Sequence, residues 1–347
     1  GVLHEIASIS KEQYEMVLNR IKVQAHLRTD EHFAAQDGSM RHERKNGNVH
    51  IRVSIIPTLD GEKIVMRILA EYVRGLTFDD LGLSQAHQEI LLEAAGKPFG
   101  MILVVGPTGS GKTTTLYSLL KRLNQPGINI TTIEDPVEYK IKGVNHIQVN
   151  QQTNLTFAKG LRSIVRQDPD VIFLGEVRDK ESAEIGVNAA LTGHLLLTTF
   201  HANDAATAVP RLLDMGIERF LLASTLELII AQVLVRRICE TCRTSMVDTR
   251  PAIKKILKTN RLYRGKGCAT CAGTGYKGRV ALYEFMKNTP ELQEIIIKSP
   301  SKKDLWAQAR AQGARSLWQD GLEKVKNGIT TIEEVLRVAA APLEPIK

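Results

Sequence analysis

Cysteine is scarce, with four in 347 residues, too few to staple a secreted disulfide scaffold. Aromatic residues make up 5% of the chain, sparse cover for a surface that stacks nucleic-acid bases. Long apolar runs are missing as well. The longest, Phe220 to Val235, is interrupted by Glu227 and bounded by Arg219, Arg236 and Arg237. It falls short of the roughly 20 residues that a bilayer span requires. The chain opens Gly1-Val2-Leu3-His4 with neither an initiator Met nor a signal peptide, so it is read as a fragment of something longer. Acid is not in excess: 46 Lys and Arg stand against 38 Asp and Glu, a net +8. That balance suits nucleotide phosphates, nucleic acid or an anionic membrane surface and selects none of them. What is present, 43% hydrophobic and 24% charged residues, is a globular composition that excludes a disordered chain. The length favours two domains, and the chain is read as a soluble, cytoplasmic protein.

The first 75 residues have the pattern of a separate α+β module. Lys11 to Ile21 carries helical spacing, Gln36-Asp37-Gly38 reads as a turn, and Val49 to Ile56 and Lys63 to Leu69 read as strands. Thr77 to Gly82 is polar and turn-rich, a linker, and Ser84 caps a helix running to Ala94. From Met101 the grammar changes to strands alternating with helices. Met101 to Val105, Ile128 to Ile133, Val171 to Leu174 and Leu195 to Thr199 are short apolar runs, and Lys112 to Leu123 is an amphipathic helix. Such βαβ alternation predicts an α/β core on a buried parallel sheet. The tail after Leu292 reads as short helices broken at Pro300, Gly313 and Gly328.

Gly106-Pro107-Thr108-Gly109-Ser110-Gly111-Lys112-Thr113, followed by Thr114, fits the phosphate-loop pattern G-x-x-x-x-G-K-[ST] between a strand and a helix. Its glycines let several backbone N–H groups converge on one anion, aided by the helix N-terminus. Lys112 is the expected counter-charge for the β- and γ-phosphates of a nucleoside triphosphate, and the Thr113 hydroxyl the expected ligand for Mg²⁺. The competing reading is a Gly-rich surface loop. A second apolar strand, Val171 to Leu174, leads to Glu176, an acid long enough to hold Mg²⁺ through water. Glu134, Asp135 and Glu138 follow the Ile128–Ile133 strand, where ligands bind in open α/β sheets; one of them could polarise the attacking water. Otherwise they form a solvated acidic loop.

All four cysteines fall in two C-x-x-C pairs, Cys239/Cys242 and Cys268/Cys271. Two such pairs supply four thiolates, a closed tetrahedral site suited to structural Zn²⁺. Gly273, Gly275 and Gly278 follow the second pair, where backbone turns around sulfur. Redox dithiols are the alternative, without a neighbouring nucleophile context to favour them.

These motifs occur together with Ile133-Glu134-Asp135-Pro136-Val137-Glu138, Leu174-Gly175-Glu176-Val177-Arg178-Asp179, Thr192-Gly193-His194-Leu195 and Thr198-Thr199-Phe200-His201. In this order the chain resembles the hexameric ATPases of type II secretion and type IV pilus assembly, from about Ile21 to Val338. The resemblance implies a RecA-like phosphate-loop ATPase core over 76–347, preceded by a small PAS-like α+β domain over 1–75. It also implies a tetracysteine zinc-binding insertion over 236–285 and a helical C-terminal tail over 290–347. The family's upstream membrane-docking domain is absent from this stretch. By motif position, Glu176 is the Walker B acid; Glu134 first, with Glu138, helps to hold the lytic water and metal; His201 is the γ-phosphate sensor and His194 is structural. Arg52 and Arg67 of the early strands hold the places of arginines that face the nucleotide. The chain departs from the family at Ser39, where arginine often follows Gln-Asp-Gly, at Gln24 to Leu27, and at Val233.

The resemblance implies ATP, Mg²⁺ and Zn²⁺ as cofactors, a homo-hexamer, an inner-membrane platform protein as partner, and a cytoplasmic location peripheral to the inner membrane. Nucleic acid is not expected as a partner. The rival reading is a nucleic-acid-translocating motor, since related α/β ATPases move DNA and this chain is basic. A binding-only protein would require a dead site, yet every acid and phosphate ligand is present.

Overall fold

The computed structural model describes residues 5–42, 49–69, 75–150, 153–247, 256–257, 259, 261–298 and 301–339. The opening tetrapeptide, Pro300, part of the tetracysteine segment and the last eight residues of the tail lie outside them. The chain divides into two compact units, Gly1–Gly75 and Leu76–Lys347.

In the first unit, helix α1 (Lys11–Gln24) begins at a capping box. The Ser10 hydroxyl accepts from the Gln13 N–H, and the Gln13 side chain accepts from the Ser10 N–H, so two of the donors that every helix start leaves open are satisfied. Strands β1 (Gln36–His42), β2 (Val49–Thr58) and β3 (Gly61–Leu69) form an antiparallel meander in that order. Leu18, Ile21 and Ala25 pack on Val53 and Ile55. Gln36-Asp37-Gly38 is therefore not a turn; it opens β1. A Cβ at Gly38 would lie 2.4 Å from the Ala25 carbonyl oxygen, so glycine there lets the strand pass the end of the helix. Lys22 is fully buried on α1 and is neutralised by Glu62 at 2.7 Å. Arg52 and Arg67 are directly opposed across β2 and β3. Strand alternation puts both on the face away from Val53 and Ile55.

The second unit is a seven-stranded sheet clothed by helices on both faces. Its strands are β4 (Gly100–Val105), β5 (Ile130–Glu134), β6 (Asn145–Gln148), β7 (Val171–Leu174), β8 (Leu195–Phe200), β9 (Leu226–Ile238) and β12 (Tyr276–Lys287). They lie in the order β12-β9-β4-β8-β7-β5-β6. Every neighbouring pair is parallel except β12 with β9. Helices α2 (Gln85–Ala95, capped by Ser84) and α3 (Lys112–Leu123) cover one face. Helices α4 (Phe157–Ile164), α5 (Lys180–Leu191), α6 (Ala205–Asp214) and α7 (Arg219–Thr225) cover the other. β4, β5, β7 and β8 are buried along their whole length, which is why they read as continuous apolar runs rather than alternating ones.

The apolar stretch from Phe220 to Val235 holds two elements, all of α7 but its first residue and most of β9. The tetracysteine insertion is also narrower than 236–285, because β9 and β12 are core strands. Only the segment between them, with the hairpin of β10 (Arg243–Val247) and β11 (Arg261–Gly265), stands outside the main sheet. The tail forms α8 (Pro290–Ile297), α9 (Lys302–Ala311), α10 (Leu317–Lys326) and α11 (Ile332–Val338). Its halves cover different regions: Leu292 and Leu305 join the core under α6 and α7, whereas Trp318, Leu322 and Val335 pack on Val233, Val235 and Leu282. Among the described residues no helix is long and apolar enough to cross a membrane.

The outer edge of β12 is closed from outside the sheet. Leu81 accepts from the Ala281 N–H at 3.4 Å, and Asp320 on α10 accepts from the Tyr283 N–H at 2.9 Å. Asp320 also binds the buried Lys324 ammonium at 2.5 Å. Removing one partner of such a pair strands the other charge in the interior at about 3–5 kcal/mol. Asp320→Ala is expected to lower the denaturant midpoint sharply, and Asp320→Ala with Lys324→Met to recover much of the loss. A single variant as stable as the parent would show that the pair contributes nothing.

Candidate active site

β4 ends in the phosphate loop, and three features fix the loop's curl. Gly106, Gly109 and Gly111 all have positive φ, at 152°, 76° and 88°. A Cβ at Gly106 would lie 2.2 Å from the Gln232 carbonyl oxygen, and one at Gly111 would lie 2.9 Å from the Gln232 side-chain nitrogen. Gln232, buried on β9, donates to the Ser110 carbonyl at 2.8 Å and accepts from the Thr115 hydroxyl at 2.8 Å. This residue clamps the loop to the sheet, and motif reading missed it. Its signal was a lone amide in an apolar run, a group that needs buried partners.

Lys112 is buried, and its ammonium donates to the carbonyls of Gly106 at 2.9 Å and Pro107 at 3.2 Å. Burial pulls its pKa below the ordinary lysine value, while the nearby Glu176 carboxylate acts the other way. Thr113 and Thr114 are half-buried in the first turn of α3; Pro107, Thr108 and Gly109 form the exposed crest, and Ser110 is buried beneath it. Backbone curled by three glycines around one buried ammonium suits a polyphosphate.

Because β4, β8, β7 and β5 run parallel in register, their carboxyl ends share one edge of the sheet. Glu176 follows β7 and lies 3.4 Å from His201 Nε2, just after β8. Arg178 binds Glu176 and, at 2.8 Å, Asp135, which follows β5. Asp135, Glu176, Arg178 and His201 thus form one group at the strand ends. Arg178, whose motif position by itself gives it no role, bridges two acids that follow different strands.

Glu134 is not in that group. It is the last residue of β5, buried under α3. Its carboxylate accepts from the Tyr117 hydroxyl at 2.5 Å and the Thr132 hydroxyl at 2.6 Å, and His146 Nδ1 is 3.1 Å away. The Ile141 N–H donates to His146 Nε2 at 3.0 Å, so the neutral ring carries its proton on Nδ1, facing Glu134. Burial, with the Glu134 charge, keeps Tyr117 protonated as a donor. The Glu134 carboxylate is thus engaged by Tyr117 of α3, Thr132 and His146 rather than by the group of Asp135, Glu176, Arg178 and His201. Glu138 is half-buried, and its N–H points to Tyr117 Oη at 3.4 Å. His194 lies at the opposite end of β8 with Nδ1 3.0 Å from the Ala189 carbonyl. Arg52 and Arg67 belong to the first unit, as described above.

The cysteines close a second site. Cys239 follows β9 directly, and Cys268 and Cys271 precede β12. The sulfurs of Cys239 and Cys268, and of Cys242 and Cys271, are 3.8 Å apart, and those of Cys268 and Cys271 are 3.7 Å apart. A tetrahedral zinc with 2.3 Å bonds spaces its sulfurs by about 3.8 Å. Backbone N–H groups of Cys268 and Gly275 point at Cys271 Sγ at 3.2 and 3.3 Å. The strands around the sulfurs touch backbone to backbone, since a Cβ at Gly265 would lie 2.0 Å from the Gly275 carbonyl oxygen. Among the described residues these four are the one group of His, Cys, Asp or Glu arranged to hold a metal.

Residues 1–337 match the family model described as type II/IV secretion system protein. The chain is 42% identical over 347 residues to the type II secretion system protein E of Pseudomonas aeruginosa, covering 97% of this chain and 68% of that protein. It is 44% identical over 345 residues to the type IV pilus assembly ATPase PilB of the same organism, covering 97% of this chain and 61% of that one. Among solved structures, the pilus retraction motor PilT with bound ADP superposes with a TM-score of 0.65 at 26% identity, over 96% of this chain and 82% of its own. That structure shares the parallel-dominated α/β core. The chain is a member of the type II/IV secretion system protein family.

Proposed function

We propose that this chain is the ATP-hydrolysing motor of a type II secretion or type IV pilus-assembly machine. The observation that carries the reading is the convergence of Glu176, His201, Arg178 and Asp135 at the sheet edge onto which the phosphate loop opens. The names of the relatives supply the machine; the strand ends supply the chemistry. The reading extends to a homo-hexameric ring that moves an inner-membrane platform protein from the cytoplasmic side.

In this reading the N–H groups of Gly109 to Thr113 and the Lys112 ammonium take the β- and γ-phosphates of ATP. The Thr113 hydroxyl and Glu176, the latter through water, would hold Mg²⁺, which neutralises charge on the phosphate oxygens. His201, set beside Glu176, reads the γ-phosphate. Glu138 at the rim is the Asp-box acid proposed to orient the lytic water, and Glu134 acts from beneath by fixing Tyr117 and His146. The first unit is proposed to be the PAS-like domain, and the opposed pair Arg52 and Arg67 the cations that close on the γ-phosphate in the ring.

Lys112→Ala is expected to weaken binding of a fluorescent nucleotide about 10–100-fold by removing a charged donor. Glu176→Gln is expected to bind like the parent while losing about 10²–10³ in turnover, because its charge matters as the transition state forms. Unchanged hydrolysis by Glu176→Gln would place the active acid elsewhere.

Arginine fingers contribute about 10³–10⁵ in turnover. Arg52→Ala and Arg67→Ala are expected to lose kcat on that scale with far smaller changes in nucleotide affinity. Parent-like turnover by both, with the ring intact on a sizing column, would rule out a closing role for the first unit.

The four cysteines are proposed to bind one Zn²⁺ per chain, worth on the order of 10 kcal/mol in small modules. Elemental analysis should find one equivalent, and strong chelation should unfold the hairpin and free four thiols. Well under one equivalent, with the thiols already reactive, refutes the site.

A further inference from the structure

We propose that Glu284 is a positioning residue for the hydrolysis site, setting the His201 loop through the first turn of α6. This inference rests on the reading of His201 given above. Glu284 lies on β12, separated from β8 by β9 and β4 in the sheet order yet on the face that α6 covers. It is buried, and its carboxylate accepts from the Ala205 N–H, the first of α6, at 2.9 Å. A helix start leaves four N–H groups without helical partners. Asp204 takes that of Thr207 at 2.8 Å, and Glu284 takes that of Ala205. The helix so anchored returns Arg211 to the His201 carbonyl and lays it over the Phe200 ring at 5.3 Å. The segment from Phe200 to Ala205 is therefore held at its two ends by α6 and by the carboxylate beneath it. Its free side chain, His201, meets Glu176.

The same carboxylate also takes the N–H of Leu317, the first residue of α10, so it serves two helix starts. Glu284 is flanked on β12 by Tyr283 and Phe285, both buried. Burial drives its carboxyl up to about 7, and the Asp204 charge adds to the rise; the N–H groups of Ala205 and Leu317 and the Lys302 ammonium oppose it. Lys302 itself is paired with Asp204 at 2.5 Å. A core residue chosen for packing alone would be apolar. An acceptor aimed at a helix start fixes where that helix begins, and with it where His201 stands.

The test is a double-mutant cycle on this chain, measuring kcat and fluorescent-nucleotide affinity for Glu284→Ala, Glu284→Gln, His201→Ala and Glu284→Ala with His201→Ala. A catalytic group displaced by about 1 Å costs on the order of 10²-fold, so Glu284→Ala is expected to lose about 10–100-fold in kcat with nucleotide affinity retained. Glu284→Gln keeps the acceptor and is expected to restore most of that loss. In the His201→Ala background, Glu284→Ala should add little, since coupled residues are not additive. Equal further slowing in that background, or a matching loss of nucleotide affinity, overturns the proposal and leaves Glu284 a general structural residue. Parent-like turnover by Glu284→Ala beside a slow His201→Ala also defeats it alone. If His201→Ala itself turns over like the parent, the sensor reading of His201 fails and the inference falls with it.

Discussion

The phosphate loop has no room for a side chain where it meets β9. Gly106 lies against the Gln232 backbone and Gly111 against the Gln232 amide, and that amide ties Ser110 to Thr115. An anion site made of backbone N–H groups works only if those groups are already aimed, since reorganising them at binding would forfeit the gain. The aim here is supplied by a strand more than a hundred residues further along the chain. β9 in turn is held by β12, and β12 by Asp320, Lys324 and Leu81 at its outer edge. The site therefore draws on packing that extends to the C-terminal helices.

Much of this was legible in the sequence, for identifiable reasons. β4, β7 and β8 are short apolar runs with motifs at their ends, and α3 begins where the lysine of the motif requires. The cysteine pairs fixed their own proximity, because tetrahedral chemistry leaves few arrangements. What failed depended on partners far off in the chain. Gln36-Asp37-Gly38 has turn composition, yet the glycine serves a close pass by α1. Phe220 to Val235 could not be divided into helix and strand by periodicity, which is mute in fully buried runs. Glu134 was placed at a strand end correctly, but its direction is set by Tyr117 and His146, neither of which carries a motif signal. Gln232 and Glu284 are single polar residues on long strands, and only their partners show what they do.

The tetracysteine site gains from its roots. Its sulfurs sit near where β9 ends and β12 begins, so two long strands of the main sheet set the spacing of the thiolates. The hairpin of β10 and β11 adds only a short two-stranded ribbon, which alone is marginal in water. A metal at its base would make that ribbon a fixed extension of the core rather than a loose flap.

The sheet order also sets a timetable for synthesis. β4 leaves the ribosome early, but its two neighbours are β8 and β9, and the residue that clamps its loop is Gln232. Contacts so distant in sequence form late, after long loops have been closed. A nascent chain that already carries Gly106 to Thr113 therefore has the letters of a nucleotide site without its shape. Nucleotide thus rewards the completed sheet rather than the stretch that carries the motif.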